Sequence, residues 1–349
     1  MSSNVSKCAG LFLGLASSLA LAQTEGQIGG LKLAPGSSGE GRIPVPATAS
    51  DGATEIPVTV FRGAKPGPTL AVLAGFAGTA YGPMAATFEF TKEVKASEMS
   101  GTLILVHIAN VPAFYGRSVY LNPADRKDLA HSFPGKPDGT SSERIAYALT
   151  SEIIAKADYV VVLDSGGMNT MLQPFVYQGV SGDAKLDAAM AEMALAFGIN
   201  YIVIDKDAKP APATPEQTAL AHGKPSIKVM CGSFGISDGR TVGAMTRGIT
   251  SLMNLFQMTA GTPAKARIPI FLDRVVTVES PLSGVLTPFI QRGQGVHKGE
   301  ALFSVSSLLN KNPKMVIAPV DGVILAAIST PPVNQGEAGA LIGIPRPGQ

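Results

Sequence analysis

This 349-residue chain has only four histidines and two cysteines with which to carry acid–base or metal chemistry beside its carboxylates. Its histidines are His107, His131, His222 and His297, and its cysteines are Cys8 and Cys231. His131 and Asp164 are a candidate pair, because an imidazole and a carboxylate can exchange a proton or ligate a metal. Two ligands without a third rarely hold zinc, so ordinary hydrogen bonding and turn capping are the favoured interpretation of both side chains. Ser165 follows Asp164, but the chain has no G-x-S-x-G elbow, and nucleophilic catalysis is not predicted.

A second pattern with chemical meaning lies at residues 73–83, where a buried strand runs into a helix. Gly75, Gly78, Tyr81 and Pro83 have the spacing of G-x-H-G-x-E-Y-x-P. This loop resembles the metal-binding loop of the succinylglutamate desuccinylase/aspartoacylase family, which is related to the zinc carboxypeptidases. In that family the His and the Glu hold a catalytic zinc. Ala77 and Ala80 stand at those two positions here, and a methyl group has no lone pair to offer a cation.

The resemblance extends over roughly residues 40–345, and it departs from the family at the same kind of position each time. Residues 122–135 resemble N-P-x-D-x-x-x-L-N-R-x-F-P-G, whose Asn-Arg pair grips a substrate carboxylate. Ala130 and His131 replace that pair. Residues 160–167 resemble V-x-D-L-H-S-G, and Asp164 replaces the third zinc ligand. Residues 227–232 resemble I-T-x-E-x-G, and Met230 replaces the glutamate that shuttles a proton.

These departures together predict loss of the family's zinc mechanism. A catalytic zinc site needs about three protein ligands and one open position for water. The positions 77, 80, 130, 131, 164 and 230 form a degenerate pocket, no catalytic residue is expected intact, and no metal or other cofactor is predicted. The favoured function is binding or assembly by an exported homologue of the zinc-dependent deacylases, that is, a pseudoenzyme.

Other functions remain open from the sequence. The alternative is a working hydrolase that cleaves an amide or ester bond of an acylated amino acid through an altered metal or acid–base site at His131 and Asp164. A purely structural envelope protein is a third class. A small-molecule ligand, an active relative of the protein and a second copy of the chain are the candidate partners. A formal net charge of +2 without a basic run does not suggest nucleic-acid binding.

The elements that must position these residues alternate between strands and helices. Apolar runs predict strands near residues 69–73, 103–108, 159–163, 201–204 and 227–231, and helices near 83–95, 141–156, 183–197 and 240–258. Such alternation predicts an α/β fold with helices on both faces of a parallel or mixed sheet. The family resemblance implies a zinc-carboxypeptidase-like, three-layer α/β/α domain over residues 51–260.

A linker at 259–269 precedes a region, 270–349, that repeats itself. Residues 280–286 are echoed by residues 318–324 at an offset of 38, which predicts two all-β halves closing into a small barrel. This region resembles the biotinyl/lipoyl-like domain of many family members. Lys314-Met315 is placed wrongly for a biotin-acceptor turn, so no swinging cofactor is predicted.

The N-terminus has the pattern of a secretory signal. Lys7 precedes an apolar run, and Ala20-Leu21-Ala22 supplies a small-residue cleavage site. Cleavage near Ala22 predicts a periplasmic or secreted protein, with residues 23–50 as an exposed lead-in. Removal of the signal would leave Cys231 as the only cysteine, so no intrachain disulfide is expected, and Cys231 is predicted to be a small core residue.

Overall fold

A computed structural model describes residues 27–49, 51–205, 213–309 and 312–348. The predicted signal at 1–22 lies outside these ranges. The helices within them are α1 (Tyr81–Phe90), α2 (Val111–Gly116), α3 (Ser141–Glu152), α4 (Ala184–Ala196), α5 (Pro215–Ala221) and α6 (Gly239–Leu255). The strands are β1 (Ser37–Val45), β2 (Thr54–Arg62), β3 (Lys65–Leu73), β4 (Ser100–Val106), β5 (Tyr159–Asp164), β6 (Thr170–Leu172), β7 (Phe175–Gly179), β8 (Tyr201–Asp205), β9 (Ser226–Met230), β10 (Ile270–Glu279), β11 (Gly284–Pro288), β12 (Gly295–Val296), β13 (Ala301–Ser306), β14 (Lys314–Ile317), β15 (Gly322–Ile328), β16 (Pro332–Val333) and β17 (Ala338–Pro345).

One long mixed sheet organises the chain. Its strand order is β1-β2-β4-β3-β5-β9-β7-β8-β10-β17-β15-β12, and β6 pairs with β15. Strands β4, β3, β5 and β9 are mutually parallel, and β7 is antiparallel to β9. Because parallel strands end at the same edge, the loop after β3 and the end of β5 lie side by side.

Helices cover both faces of the sheet. Side chains of α1, α4 and α6 pack with the alternate strand residues that include Val161 and Val229. Side chains of α3 and α5 pack on the opposite face with residues that include Val160 and Val162. Strand neighbours point to opposite faces, so near-continuous apolar runs are what a sheet buried on both sides requires. The predicted α/β class with a mixed sheet is confirmed.

The lead-in predicted at residues 23–50 contains ordered structure. Residues 37–45 form β1, which pairs antiparallel with β2 along its full length. Ile43 and Val45 are 2% exposed and belong to the core beside α3. The Gly/Ser-rich composition concealed a strand, because its alternation is carried by only a few apolar side chains at one end.

All four predicted helices differ in extent from the structure. The helix predicted over 83–95 ends at Phe90, and those predicted over 183–197 and 240–258 form Ala184–Ala196 and Gly239–Leu255. The helix predicted from Pro83 begins two residues earlier, and the one predicted over 141–156 ends as an α-helix at Glu152 and continues as a short 3-10 turn at Ile154–Lys156. At the start of α3 the Glu143 Oε2 accepts from the backbone N–H of Thr140 at 2.9 Å, which satisfies one of the donors at the helix N-terminus.

The C-terminal region divides between two sheets. Strands β10, β17, β15 and β12 continue the long sheet, since β10 runs parallel to β8. Strands β14, β13, β11 and β16 form a separate four-stranded sheet, and an apolar core that includes Leu286, Phe303 and Ile324 joins the two layers. The repeated segments thus supply strands to different sheets, β11 and β15. Closure into a biotinyl/lipoyl-like barrel remains a prediction.

Among the described residues, no helix combines the length and the apolar character that crossing a membrane would need.

Candidate functional site

The loop after β3 keeps the backbone frame that the sequence predicted. Gly75 has a φ of +77°, and a Cβ there would lie 2.7 Å from the Cα of Ile108. A Cβ on Gly78 would lie 2.2 Å from the carbonyl oxygen of Ala113. The Asn110 Nδ2 group donates to the carbonyl oxygen of Phe76 at 3.0 Å. The glycines are therefore required by close backbone approach, whatever the loop binds.

The two alanines of this loop offer no donor atoms. Ala80 is 1% exposed and precedes α1 without a side-chain cap. Ala77 is half-buried. A methyl side chain at either position has no lone pair with which to bind a cation.

Asp164 ends β5, and its carboxylate has two partners. Its Oδ1 accepts from the backbone N–H of Ser165 at 2.8 Å, and its Oδ2 lies 3.2 Å from the Nζ of Lys228. Parallel pairing of β5 with β9 puts Asp164 opposite Met230 and Val162 opposite Lys228, so these side chains share a face. An ammonium group is thus within ion-pair distance of the side chain at the position of the third predicted ligand.

Lys228 was not singled out from the sequence, although a lysine inside the apolar run Ile227–Val229 is an available signal. Its side chain and that of Asp164 are each 15% exposed. Burial alone lowers the pKa of a lysine, but the nearby carboxylates of Asp164 and Glu216 outweigh it and raise the pKa of Lys228. The site therefore contains a permanently charged ammonium.

His131 lies in a 3-10 turn, Leu129–His131, that Asp128 caps. The Asp128 Oδ1 accepts from the N–H of Ala130 at 2.9 Å, and its Oδ2 is 2.8 Å from the His131 Nδ1. The hydrogen bond to Asp128 raises the pKa of His131. The pKa of Asp128 is lowered: burial raises it, but the hydrogen bond and the charge of His131 have the opposite and larger effect. His131 thus pairs with Asp128, and Asp164 pairs with Lys228, so the candidate pair is not joined by a hydrogen bond.

A cavity of about 490 Å³ lies between α5 and strands β7, β8, β9 and β10. Charged side chains on its wall include His131, Glu216, Lys228 and Arg274. Of the six positions of the predicted degenerate pocket, only His131 lines this cavity. The other charged groups on the cavity wall were not predicted from the sequence. They lie on separate elements of the chain, so no local motif contains them.

The remaining sequence candidates fall into structural roles. His107 lies between the hydroxyls of Thr59, at 2.8 Å, and Thr87, at 3.0 Å. Burial lowers the pKa of His107 to about 4, so the ring is neutral at pH 7. The prediction of a core histidine is confirmed, as is that of a core cysteine, since Cys231 is buried. Met230 packs at the edge of an apolar cluster around Phe175 and Leu272.

The donor set does not fit the zinc that the family resemblance implies. Two predicted ligand positions carry methyl groups, and the carboxylate of Asp164 already faces an ammonium. The described residues contain no group of three or more His, Cys, Asp or Glu side chains placed to hold a metal ion. Zinc needs about three such ligands, and a neighbouring ammonium would repel the ion.

Known proteins resemble this chain over most of its length. Residues 66–256 match the model of the succinylglutamate desuccinylase/aspartoacylase catalytic domain. The N-alpha-acetyl-L-2,4-diaminobutyric acid deacetylase of Halomonas elongata is 29% identical over 289 residues, which cover 79% of this chain and 82% of that protein.

Solved structures agree with that match. The product-bound ectoine utilization protein EutE (DoeB) of Ruegeria pomeroyi superposes with a TM-score of 0.82 at 25% identity, covering 90% of this chain and 97% of the other. A succinylglutamate desuccinylase from Silicibacter sp. TM1040 has the same fold, with a TM-score of 0.81 at 24% identity over 90% and 97% of the two chains. The catalytic-domain model matches more than half of this chain, and the glycines after β3 have the spacing of the family's loop. This chain therefore belongs to the succinylglutamate desuccinylase/aspartoacylase family.

Proposed function

We propose that this protein is a binding protein on a deacylase fold and does not carry out zinc-dependent hydrolysis. The observation that carries the proposal is the 3.2 Å contact between Lys228 and Asp164. The ammonium supplies positive charge at the predicted ligand position, so the carboxylate needs no metal to be neutralised there. Without zinc, a bound water keeps a pKa far above neutrality, and Met230 cannot deprotonate it.

The test is an assay with N-alpha-acetyl-L-2,4-diaminobutyrate, the compound named for the Halomonas elongata relative. The purified protein is assayed with and without added zinc, beside that deacetylase. We expect no turnover above background for this chain under either condition and turnover by the relative. Zinc-stimulated hydrolysis by this chain would overturn the proposal.

A hydrolase with a different acid–base site is the second candidate. It is favoured by the similarity to a deacetylase and by the hydrogen bond between His131 and Asp128 at the cavity wall. This alternative predicts turnover of an acylated amino acid that persists in a chelator and is lost on His131→Ala. The proposed binding function predicts no turnover by the unmodified protein or by the His131→Ala variant.

Export and assembly are further parts of the proposal. Cleavage after Ala22 would give a mature chain beginning at Gln23, which N-terminal sequencing of the protein from a periplasmic or secreted fraction can detect. An intact N-terminus on the protein in the cytoplasmic fraction would argue against export. Co-purification with an active relative, or self-association, would identify the partner.

A further inference from the structure

The side chain of Glu216 lies on the wall of the cavity beside α5. The Glu216 Oε2 is buried and has no hydrogen-bond partner among the described residues. The backbone oxygen of Glu216 accepts from the Ser226 hydroxyl at 2.8 Å, but that bond leaves the carboxylate unsatisfied. Buried acceptors in native proteins are nearly always paired, so this oxygen calls for a donor beyond the described residues, such as a bound ligand.

Cationic donors lie on the same cavity. Lys228 carries three N–H donors; it forms an ion pair with the Asp164 carboxylate at 3.2 Å, and the Glu216 carboxylate is also near its ammonium. The exposed Arg274 guanidinium lines the cavity from β10 and has no hydrogen bond or ion pair within the described parts of the chain. A carboxylate is the group that both an ammonium and a guanidinium bind well.

The rest of the wall is suited to an aliphatic group. Val203, Ile204, Leu220 and Val275 line the cavity together with polar side chains. A volume of about 490 Å³ is in the range of small-molecule sites. The cavity thus offers three features together: a carboxylate acceptor, cationic donors and an apolar surface.

We propose that this cavity binds a free, unacylated α-amino acid with an aliphatic side chain. Its ammonium group meets Glu216, its carboxylate meets Lys228 and Arg274, and its side chain lies against the apolar wall. This inference names a ligand for the binding function proposed above and rests on it. It differs from the acylated substrates that the family resemblance implies, because acylation removes the ammonium charge that Glu216 requires.

Calorimetric titration with four related compounds tests the inference. L-norleucine carries both charged groups, hexanoate lacks the ammonium, pentylamine lacks the carboxylate, and N-acetyl-L-norleucine has the amine blocked. We expect norleucine to bind at least about tenfold more tightly than each of the other three, because a hydrogen bond to a charged group contributes about that factor. Equal affinity for norleucine and hexanoate, or no binding of norleucine, would overturn the inference.

Two variants locate the binding. Glu216→Gln keeps the shape of the side chain and removes its charge, and Arg274→Ala removes an exposed guanidinium. We expect each to weaken norleucine binding about tenfold or more. The matched controls are Glu192→Gln and Arg247→Ala, which make the same changes at exposed positions on α4 and α6. Unchanged affinity in both cavity variants would show that norleucine binds elsewhere and would refute the site.

The failure of this inference is distinct from that of the proposed function. If norleucine does not bind and N-acetyl-L-norleucine is not hydrolysed, the ligand assignment is wrong and the non-hydrolytic function stands. If N-acetyl-L-norleucine is hydrolysed, the proposed function itself is wrong, and this inference falls with it.

Discussion

The Lys228 ammonium lies 3.2 Å from the Asp164 carboxylate, and both side chains are 15% exposed. Asp164 ends β5 at the position where the family resemblance requires a zinc ligand, and Lys228 is on the adjacent strand β9. A covalently attached ammonium group can neutralise a carboxylate, as a dissociable metal ion can. The pair therefore leaves the Asp164 carboxylate neutralised without a metal ion.

The first prediction concerns metal content. Purified protein should carry far less than one zinc per chain after dialysis, because Ala77, Ala80 and Asp164 cannot provide three ligands. A chelator should also leave the melting temperature unchanged, since a bound structural metal would contribute to stability. Elemental analysis and thermal unfolding make these measurements. Stoichiometric zinc that survives dialysis would show that the chain holds the metal with ligands at positions other than these three.

The second prediction tests the ion pair. Lys228→Met should lower the free energy of unfolding by about 3–5 kcal/mol, because it leaves the Asp164 carboxylate buried without its partner. The double variant Lys228→Met, Asp164→Leu should regain most of that loss, because it removes both charges. Urea unfolding of the two single variants and the double variant completes the cycle. Additive losses in the double variant would mean that the two charges do not interact.

The third prediction concerns the pH dependence of His131. Its folded-state pKa is raised, so its contribution to stability is fully present below the unfolded value of about 6.5 and is lost as the pH rises through the folded value. Asp128→Asn should shift the His131 pKa downward, because it removes the hydrogen-bonded carboxylate. NMR titration of the ring protons measures the shift. An identical pKa in the variant would show that Asp128 is not the cause.

The fourth prediction tests the loop frame. Gly78→Ala should lower the free energy of unfolding by about 1–3 kcal/mol, because the added methyl would lie 2.2 Å from the carbonyl oxygen of Ala113. Gly52→Ala is the matched control, since a Cβ there meets nothing within 4 Å. Equal stability of the two variants would mean that the loop relaxes freely and is not a rigid frame.

The fifth prediction is that the zinc site can be restored only with a change at Lys228. Ala77→His, Ala80→Glu and Asp164→His supply the three ligands, but the ammonium of Lys228 would remain beside them and repel the ion. Adding Lys228→Thr, the residue that the family pattern has there, should produce zinc binding that the triple variant lacks. Calorimetric titration with zinc compares the two. Equally tight binding by the triple variant would show that Lys228 does not oppose the metal.

Recovery of hydrolysis would require more than the metal. Met230→Glu would replace the proton shuttle, and Ala130→Asn with His131→Arg would replace the pair that grips the substrate. The variant with Ala77→His, Ala80→Glu, Asp164→His and Lys228→Thr also tests the positions of the strand ends. If it folds without binding zinc, these positions differ from those that the family resemblance implies.

The sequence by itself determined the fold class and the family, and it predicted the positions at which the family's donors are missing. Apolar runs such as 69–73 and 227–231 identify strands buried on both faces, because the pattern depends on the strand's own residues. The replacements at Ala77, Ala80 and Met230 are visible for the same reason: a spaced motif is local.

The tertiary structure alone decided which charges meet. Lys228 is 64 positions from Asp164 in the chain, and only the parallel pairing of β5 with β9 brings them to 3.2 Å. The sequence offered Asp164 as a candidate partner for His131. In the structure His131 forms its hydrogen bond with Asp128, three residues before it. Only the structure shows that the Glu216 Oε2 is buried and that β10 places Arg274 on the same cavity. Pairings of this kind depend on sheet order and register, which no local pattern specifies.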